Sequence, residues 1–310
     1  RFIIVNWHLE LDTTVPQATQ WAPLVAVTAD EDEFEKRYDS YKRDNVIQFL
    51  AFDREYDNSI ITCLGRAREN ARSIREIISS EMWESVNAFY LSVQEAAEAG
   101  PHLASPYDYF NSIVRASAEF VGFTMTTLTR DESWHFCRAG RMLERADKTS
   151  RILDVKYFYL LPSVTDVGTP VDQIQWGALL RSTSALQAYR QLYGPIEPRN
   201  VVELLLLSRY FPRSVRYCCE RVQDSLHCMT GATIGSYSDE AERRAGQVLS
   251  GLAYAQVDDV ISQGLHEFID HAQTQLNAVG HAIQDTYFVA RHVPGAVEAP
   301  TLGEQSQSQS

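Results

Sequence analysis

The spacing of apolar residues constrains the fold of this chain more than any other feature of its sequence. Along two segments, apolar or small residues recur at steps of four and three, which places them on one face of an α-helix at near-heptad spacing. No stretch alternates as a strand would. The sequence therefore predicts an all-α helical bundle without a β-sheet. The two stripes are Ile60, Leu64, Ala67, Ala71, Ile74 and Ile78, and Leu143, Ala146, Ser150, Leu153, Tyr157 and Leu160.

Helix boundaries follow from this periodicity and from capping residues. Asn58, Ser105 and Thr169 each fit an N-cap, the last two directly before a proline. The acidic stretch 30–33 is expected to begin a helix, because carboxylates favour that end of the helix dipole. Helices are predicted near residues 1–11, 16–28, 43–54, 58–97, 106–130, 133–160, 171–191, 198–209, 213–230, 238–255 and 257–290.

The chain also resembles itself, which indicates an internal duplication. A shift of 155 residues aligns residues 45–63 with 200–218, and the identities keep their order along this alignment. We therefore predict two tandem homologous halves, at about 1–130 and 131–290. The identities include Leu50 with Leu205, Arg54 with Arg209, and Ser59 with Ser214.

The ends of the chain bear on the domain boundaries. A shift of 150 residues pairs Arg1 with Arg151, and the counterpart of residues 133–150 would then precede Arg1. We therefore expect the opening helix to lack its first turns. Residues 294–310 are of low complexity and are predicted to be a disordered tail. The rest, residues 1–293, is predicted to be a single helical domain.

Composition narrows the classes of function. A formal net charge of -13 argues against nucleic-acid binding, which needs clustered Lys and Arg. Five cysteines without a C-x-x-C pair fit neither a disulfide framework nor a zinc site, so we expect reduced thiols in the cytoplasm. No apolar run approaches the roughly 20 residues of a membrane span, and no signal peptide is expected. Paired Glu-x-x-His motifs are absent, so we expect no metal and no cofactor.

The most unusual local sequence is the charged segment 66–76. If the helix runs through it, Arg68, Arg72 and Arg75 share one face, and Glu69 pairs with Arg72, with Asn70 among them. Guanidinium groups bind carboxylates and phosphates bidentately. The segment therefore predicts either an anion-binding or catalytic patch, or a network of structural ion pairs. Both alternatives remain open at this point.

A second charged segment covers residues 141–151. Glu144, Asp147 and Arg151 share one helical face there. If two homologous halves pack about a pseudo-twofold axis, both segments should gather at their junction. No catalytic residue is assigned. The candidate anion-binding residues of both segments are Arg68, Glu69, Asn70, Arg72, Arg75, Glu144, Arg145, Asp147 and Arg151.

The repeat alignment is asymmetric at the first charged segment. Gln223 aligns with Arg68 and His227 aligns with Arg72, so the second half lacks two permanent positive charges. A functional patch is therefore expected in the first half.

Three stretches resemble the bacterial alpha-E domain family. They are the opening Arg-Phe-Ile-Ile-Val-Asn-Trp at 1–7, Arg-Glu-Asn-Ala-Arg at 68–72 with Ser-Ser-Glu-Met-Trp-Glu at 79–84, and Gly-Arg-Met-Leu-Glu-Arg-Ala-Asp-Lys-Thr-Ser-Arg at 140–151. The resemblance extends over residues 1 to about 290. It implies an all-helical fold rich in charged motifs. Members of the family begin with a full Glu-Arg-Ala motif, whereas this sequence starts after it.

The resemblance also implies partners and a role. Family genes resemble components of clusters that encode a circularly permuted ATP-grasp protein, a transglutaminase-like peptidase and sometimes a proteasome-related peptidase. The implied role is a part in peptide or amide-bond synthesis and processing, with the ATP-grasp protein as first partner and the transglutaminase-like peptidase as second.

Three hypotheses of function follow. The favoured one is an accessory or substrate-binding component that contacts the ATP-grasp protein or its substrate. The second is an enzyme of the same pathway, in which Arg68, Arg72 and Arg75 hold a carboxylate or phosphate and Glu69 or Glu144 transfers a proton. The third is a purely structural helical interaction protein, in which all these charges form structural pairs.

Overall fold

A computed structural model describes residues 21–99, 106–159, 170–233 and 235–289. These residues form helices and turns without a β-strand, which confirms the predicted fold class. The predicted helix at 1–11, the tail from 294, and the caps Ser105 and Thr169 lie outside the described residues. The α-helices are α1 (Ala22–Ala26), α2 (Glu31–Glu35), α3 (Arg43–Ile47), α4 (Ile60–Ser73), α5 (Ser80–Ala99), α6 (Pro106–Thr127), α7 (Glu132–Tyr159), α8 (Pro170–Ser182), α9 (Leu186–Leu192), α10 (Pro198–Val202), α11 (Val215–Thr230), α12 (Glu240–Tyr254), α13 (Val257–Gln263) and α14 (Leu265–Ile283).

In the described part of the chain, three π-helices follow directly on α-helices. They are π1 (Gln48–Phe52) after α3, π2 (Glu203–Leu207) after α10, and π3 (Gln284–Phe288) after α14. The bounds of α3 and π1 recur 155 residues later in α10 and π2. Ser59 then caps α4 and Ser214 caps α11, again 155 residues apart. The register that aligns the sequence halves thus also relates these elements.

The largest hydrophobic core forms where α7, α11, α12 and α14 pack together. The seam predicted on α7 faces it, because Ala146, Ser150 and Leu153 are fully buried. Residues of α1 to α3 and π1, such as Phe34 and Phe49, join the same core. The helices α4, α5 and α6 enclose a second core together with Ile47 of α3 and with Ala51 and Phe52 of π1. Met82, Leu128 and Trp134 form a small third cluster between α5, α6 and α7.

The single helix predicted over residues 58–97 is wrong. Helix α4 ends at Ser73, and Ile74 leaves the helical region with φ −124° and ψ 33°. Helix α5 then begins at Ser80, where the Ser79 hydroxyl accepts a hydrogen bond from the Met82 amide at 3.2 Å. The chain reverses here because α4 and α5 bury their apolar faces against each other. The turn could not be recognised from the sequence, because Ile74 and Ile78 lie in the turn and continue the apolar stripe.

Two other predicted helices are also divided. Residues 171–191 separate into α8 and α9 at Ser184, which has a φ of +54°. Residues 257–290 separate into α13 and α14 at Gly264, whose φ of +107° suits glycine because it has no Cβ. The predicted N-cap Asn58 is displaced by one residue: Ser59 is the cap, and its hydroxyl accepts the Thr62 amide at 3.2 Å. The helix start expected at 30–33 is confirmed by α2.

A buried lysine joins α7 to α8. Lys156 has no exposed side chain, and its Nζ donates to Asp172 Oδ1 at 2.8 Å and to Gln175 Oε1 at 2.6 Å. The same Nζ lies 5.2 Å from the ring centroid of Trp176. Burial lowers the pKa of Lys156, and Asp172 opposes this effect. This buried group connects α7 to α8.

His266 on α14 makes the fold sensitive to pH. Its Nδ1 lies 2.8 Å from Asp154 Oδ1 on α7, and this hydrogen bond raises the pKa of His266. Glu267 and Asp270 act in the same direction. A histidine whose folded-state pKa is raised contributes stability below its unfolded pKa, and the contribution is lost as pH rises through the folded value.

We therefore expect the unfolding free energy to fall slightly between about pH 5.5 and 8. The effect should stay below about 1 kcal/mol, because the pair is partly exposed. Urea unfolding at both pH values measures this change in unfolding free energy. His266→Gln should remove the part of the change that comes from the pair of His266 and Asp154. A pH response identical in wild type and His266→Gln would contradict this prediction.

Candidate functional site

Most charged side chains of the first charged segment contact other side chains of the protein. The Glu69 carboxylate accepts from Arg68 Nη1 at 3.0 Å and lies 2.7 Å from Arg72 Nη2. Arg68 Nε also donates to Asn87 Oδ1 on α5 at 2.7 Å. These three predicted residues meet as expected, but they satisfy one another. Their geometry is that of structural ion pairs, the less specific of the two alternatives.

Arg75 does not share a helical face with Arg68 and Arg72, because α4 ends before it. Its guanidinium carbon lies 4.7 Å from the Trp83 ring centroid, and that of Arg68 lies 5.7 Å from the same ring. Both arginines therefore meet on an aromatic side chain of α5, in cation–π geometry. The side chain of Arg72 is 67% exposed.

A cleft of about 340 Å³ lies between α4 and α5. Asn70, which the sequence proposed as a site residue, lines it together with Glu69. Other polar side chains that line it are those of Arg54, Thr62, Arg66 and Tyr90. The cleft thus gives the first half a concave surface that presents arginine side chains.

In the second charged segment, Asp147 forms ion pairs with neighbouring basic side chains. Arg151 Nε donates to both oxygens of Asp147 at 2.9 Å, and Lys148 Nζ donates to Asp147 Oδ2 at 3.1 Å. Glu144, with 69% of its side chain exposed, lies 3.7 Å from Lys148. Asp147 and Arg151 therefore pair along α7, as their spacing of four residues predicts.

Arg145 differs from the other predicted residues. Its Nη1 donates to the carbonyl oxygen of Pro212 at 3.1 Å, and among the described residues it has no carboxylate partner. Arg141 lies one turn earlier on α7, and Arg213 follows Pro212 just before the start of α11. Neither forms an ion pair within the described part of the chain. We call Arg141, Arg145 and Arg213 the arginine cluster.

The charges of the arginine cluster repel one another. Burial lowers the pKa of Arg141 and of Arg213, and the neighbouring Arg145 lowers both further. Arg141 Nε is buried and has no hydrogen-bond partner. Buried or half-buried guanidinium groups without a counter-charge are costly, so a site of this kind is suited to a bound anion.

Sequence reasoning missed two of these three arginines. Arg141 had a usable signal, because it lies four residues before Arg145 and therefore on the same helical face. Arg213 had none, since only the packing of α11 on α7 brings it near Arg145. Arg138, one turn before Arg141, is compensated at 3.8 Å by Asp224 and does not belong to the cluster.

The two charged segments do not meet directly. Residues 68–75 lie on or just after α4, which packs on α5 and π1, whereas residues 144–151 lie on α7, which packs on α11 and α14. Within the described ranges no hydrogen bond, ion pair or ring contact joins them. The structure therefore presents a cleft in the first half and an arginine cluster in the second. No group of His, Cys, Asp and Glu side chains in the described part is arranged to hold a metal ion.

The fold and this site define an all-helical protein with an uncompensated arginine cluster, whose Arg145 directly follows Glu144 in the sequence. A family model named Alpha-E, described as a predicted alpha-helical domain with a conserved ER motif, matches residues 1–288. The chain belongs to the Alpha-E family. Glu-Arg pairs occur at 144–145, 220–221 and 242–243. No curated protein and no solved structure matches the chain. None of the described helices is long and apolar enough to cross a lipid bilayer.

Proposed function

We propose that this chain is an accessory, substrate-binding component of an ATP-grasp-linked system for peptide or amide-bond synthesis or processing in the cytoplasm. The observation that supports it is the arginine cluster, three guanidinium groups without a carboxylate partner in the described part of the chain. Amide-bond formation consumes a carboxylate, and its ATP-driven form also handles phosphate. Guanidinium groups bind both kinds of anion.

A purely structural role explains the paired residues better than the cluster. The ion pairs of Glu69 and Asp147 are complete without a ligand. The arginine cluster lacks such pairing, and its partly buried like charges oppose one another. Residues that cost stability without a structural gain are typical of functional sites.

The pathway-enzyme alternative receives less support from the geometry. It assigns proton transfer to Glu69 or Glu144, and 51% and 69% of these side chains are exposed. A catalytic acid or base works best in a closed cleft that shields it from water. We therefore assign binding rather than proton transfer to this chain.

The partners in the proposal are a circularly permuted ATP-grasp protein and, second, a transglutaminase-like peptidase. The chain as a whole carries a formal net charge of -13, so the arginine cluster is a local exception in sign. Complementary potentials attract and orient a charged group at such a place. An anionic substrate presented to the ligase, or an acidic surface of the ligase itself, fits this role.

Replacing Arg145 by glutamine tests the proposal. A hydrogen bond to a charged group contributes about 1.5–3 kcal/mol, so Arg145→Gln should weaken anion or partner binding about tenfold or more. The measurement is ATP- and amino-acid-dependent ligation by the cognate ATP-grasp protein, with and without this chain, followed by calorimetric titration of the two proteins. Wild type should stimulate ligation, and Arg145→Gln should not.

Arg244→Gln is the matched control. Arg244 is an arginine of α12 that pairs with Glu240 at 2.6 Å on the surface and has no part in the proposed binding. It should behave as wild type in both assays. The fold of Arg145→Gln should persist, since among the described residues the variant loses one hydrogen bond and no ion pair. Equal stimulation by wild type and Arg145→Gln, or none by either, would refute the proposal.

A further inference from the structure

The cleft beside Gly65 differs from its counterpart in the second half in the residue at the position of Gly65. The 155-residue register that relates the helix bounds aligns Gly65 with Glu220, and Arg66 with Arg221. The same register aligns Arg54 with an arginine at position 209. Both halves therefore carry these two arginines, whereas the second half has a carboxylate at the position that Gly65 occupies in the first.

In the second half, three arginines surround Glu220. Its Oε1 lies 3.5 Å from Arg209 Nε and 3.8 Å from Arg216 Nε, and its Oε2 lies 3.4 Å from Arg221 Nη2. Only 12% of the Glu220 side chain is exposed. The second half thus shows how a carboxylate is held at this place in the fold.

In the first half, the same place is open. A Cβ at Gly65 would find its nearest neighbour, Tyr90 Cε2, at 3.5 Å, and the 340 Å³ cleft lies alongside. The Arg54 guanidinium, which lines the cleft, has no hydrogen bond or ion pair within the described ranges. Arg66 Nη2 lies 2.6 Å from Asp57, but both side chains are mostly exposed, and such a surface pair exchanges at little cost.

The remaining walls also suit an anion with an apolar part. The side chains of Asn70 and Tyr90 line the cleft, and neither forms a hydrogen bond in the part of the chain that the structure describes. Glu69 lines it as well, but Arg68 and Arg72 neutralise its carboxylate. Ile61, at the position that aligns with Arg216, is buried behind the cleft, and the half-buried ring of Tyr90 supplies the apolar surface.

We propose that this cleft binds the carboxylate of a small organic acid or of a peptide end, in the position that Glu220 fills in the second half. Arg54 and Arg66 would hold the carboxylate, and the ring of Tyr90 would contact an aliphatic group attached to it. The cleft is distinct from the arginine cluster. The test of this proposal therefore does not depend on the function proposed above.

Gly65→Glu supplies the missing carboxylate from the chain itself and should therefore block the cleft. The probes are N-acetyl-leucine and N-acetyl-leucinamide, which differ only in the carboxylate, followed by ligand-observed NMR titration. The acid should bind wild type about tenfold or more tightly than the amide, and Gly65→Glu should weaken its binding by a similar factor. Gly122→Glu is the matched control, because it adds a carboxylate to an exposed glycine of α6 with no atom within 4 Å of its Cβ.

Two further variants show whether the acid binds in this cleft. Arg54→Gln changes an exposed side chain, so it should weaken binding of the acid while the protein stays folded, and it decides the question if Gly65→Glu does not fold. Arg145→Gln should leave binding of the acid unchanged, because it belongs to the other site. The proposal is overturned if wild type does not bind the acid, if acid and amide bind equally, or if folded Gly65→Glu binds like wild type.

Discussion

Asp172→Asn should lower the free energy of unfolding by about 3–5 kcal/mol, because it leaves a buried lysine without its counter-charge. Lys156 is fully buried, and its Nζ contacts Asp172 Oδ1 at 2.8 Å. The substitution keeps the shape of the side chain and removes only its charge. Lys156→Met should also lower the free energy of unfolding, since it removes the buried ammonium group that contacts the Asp172 carboxylate.

A double-mutant cycle gives the sharper test. Residues in direct contact show coupling, so Lys156→Met with Asp172→Asn should lose clearly less stability than the sum of the two single variants. Urea unfolding followed by circular dichroism measures all four proteins. Strictly additive losses would show that the pair is not coupled, and a loss below about 1 kcal/mol for each single variant would place it among ordinary surface pairs.

Glu242→Ala should be the second most disruptive change, with a loss of about 2–4 kcal/mol, because it leaves two donors without an acceptor. Glu242 is 1% exposed. One of its oxygens accepts the Thr230 hydroxyl, and the other accepts the Ser238 amide at 2.5 Å. The carboxylate thus ties the end of α11 to the start of α12. The Asp239 side chain, which accepts the Glu242 amide at 2.9 Å, completes this cap.

Glu240→Ala is the matched control for this prediction. Glu240 lies in the same first turn of α12, but it is exposed and pairs with Arg243 and Arg244 at the surface. Its removal should cost much less, since a surface ion pair contributes little. The urea midpoints of the two variants measure the difference. Similar midpoints would mean that the buried carboxylate does not hold α11 and α12 together.

The helices of this protein could be predicted from the sequence, because the interactions that form them are local. The seam on α7, the acidic start of α2 and the proline at the start of α6 each act within one or two turns. The turn between α4 and α5 could not be predicted from the sequence. Its isoleucines continue the apolar stripe, and the chain reverses only because two apolar faces bury each other.

The candidate site shows the same division. Pairs three or four residues apart, such as Glu69 with Arg72 and Asp147 with Arg151, were predictable and are present. Because these pairs are closed, their charges are not free to bind an anion. Arg213 could not be linked to Arg145 from the sequence, since the two are brought together by the packing of α11 on α7.

The sequence by itself determined that this chain is all-α, which faces of its helices are apolar, and which charged residues pair along a helix. The tertiary structure alone decided where the chain turns between helices and which arginines remain without a counter-charge. The physical reason is range: helical hydrogen bonds and side-chain neighbours lie within four residues, whereas the neutralisation of a guanidinium group depends on which helix packs beside it.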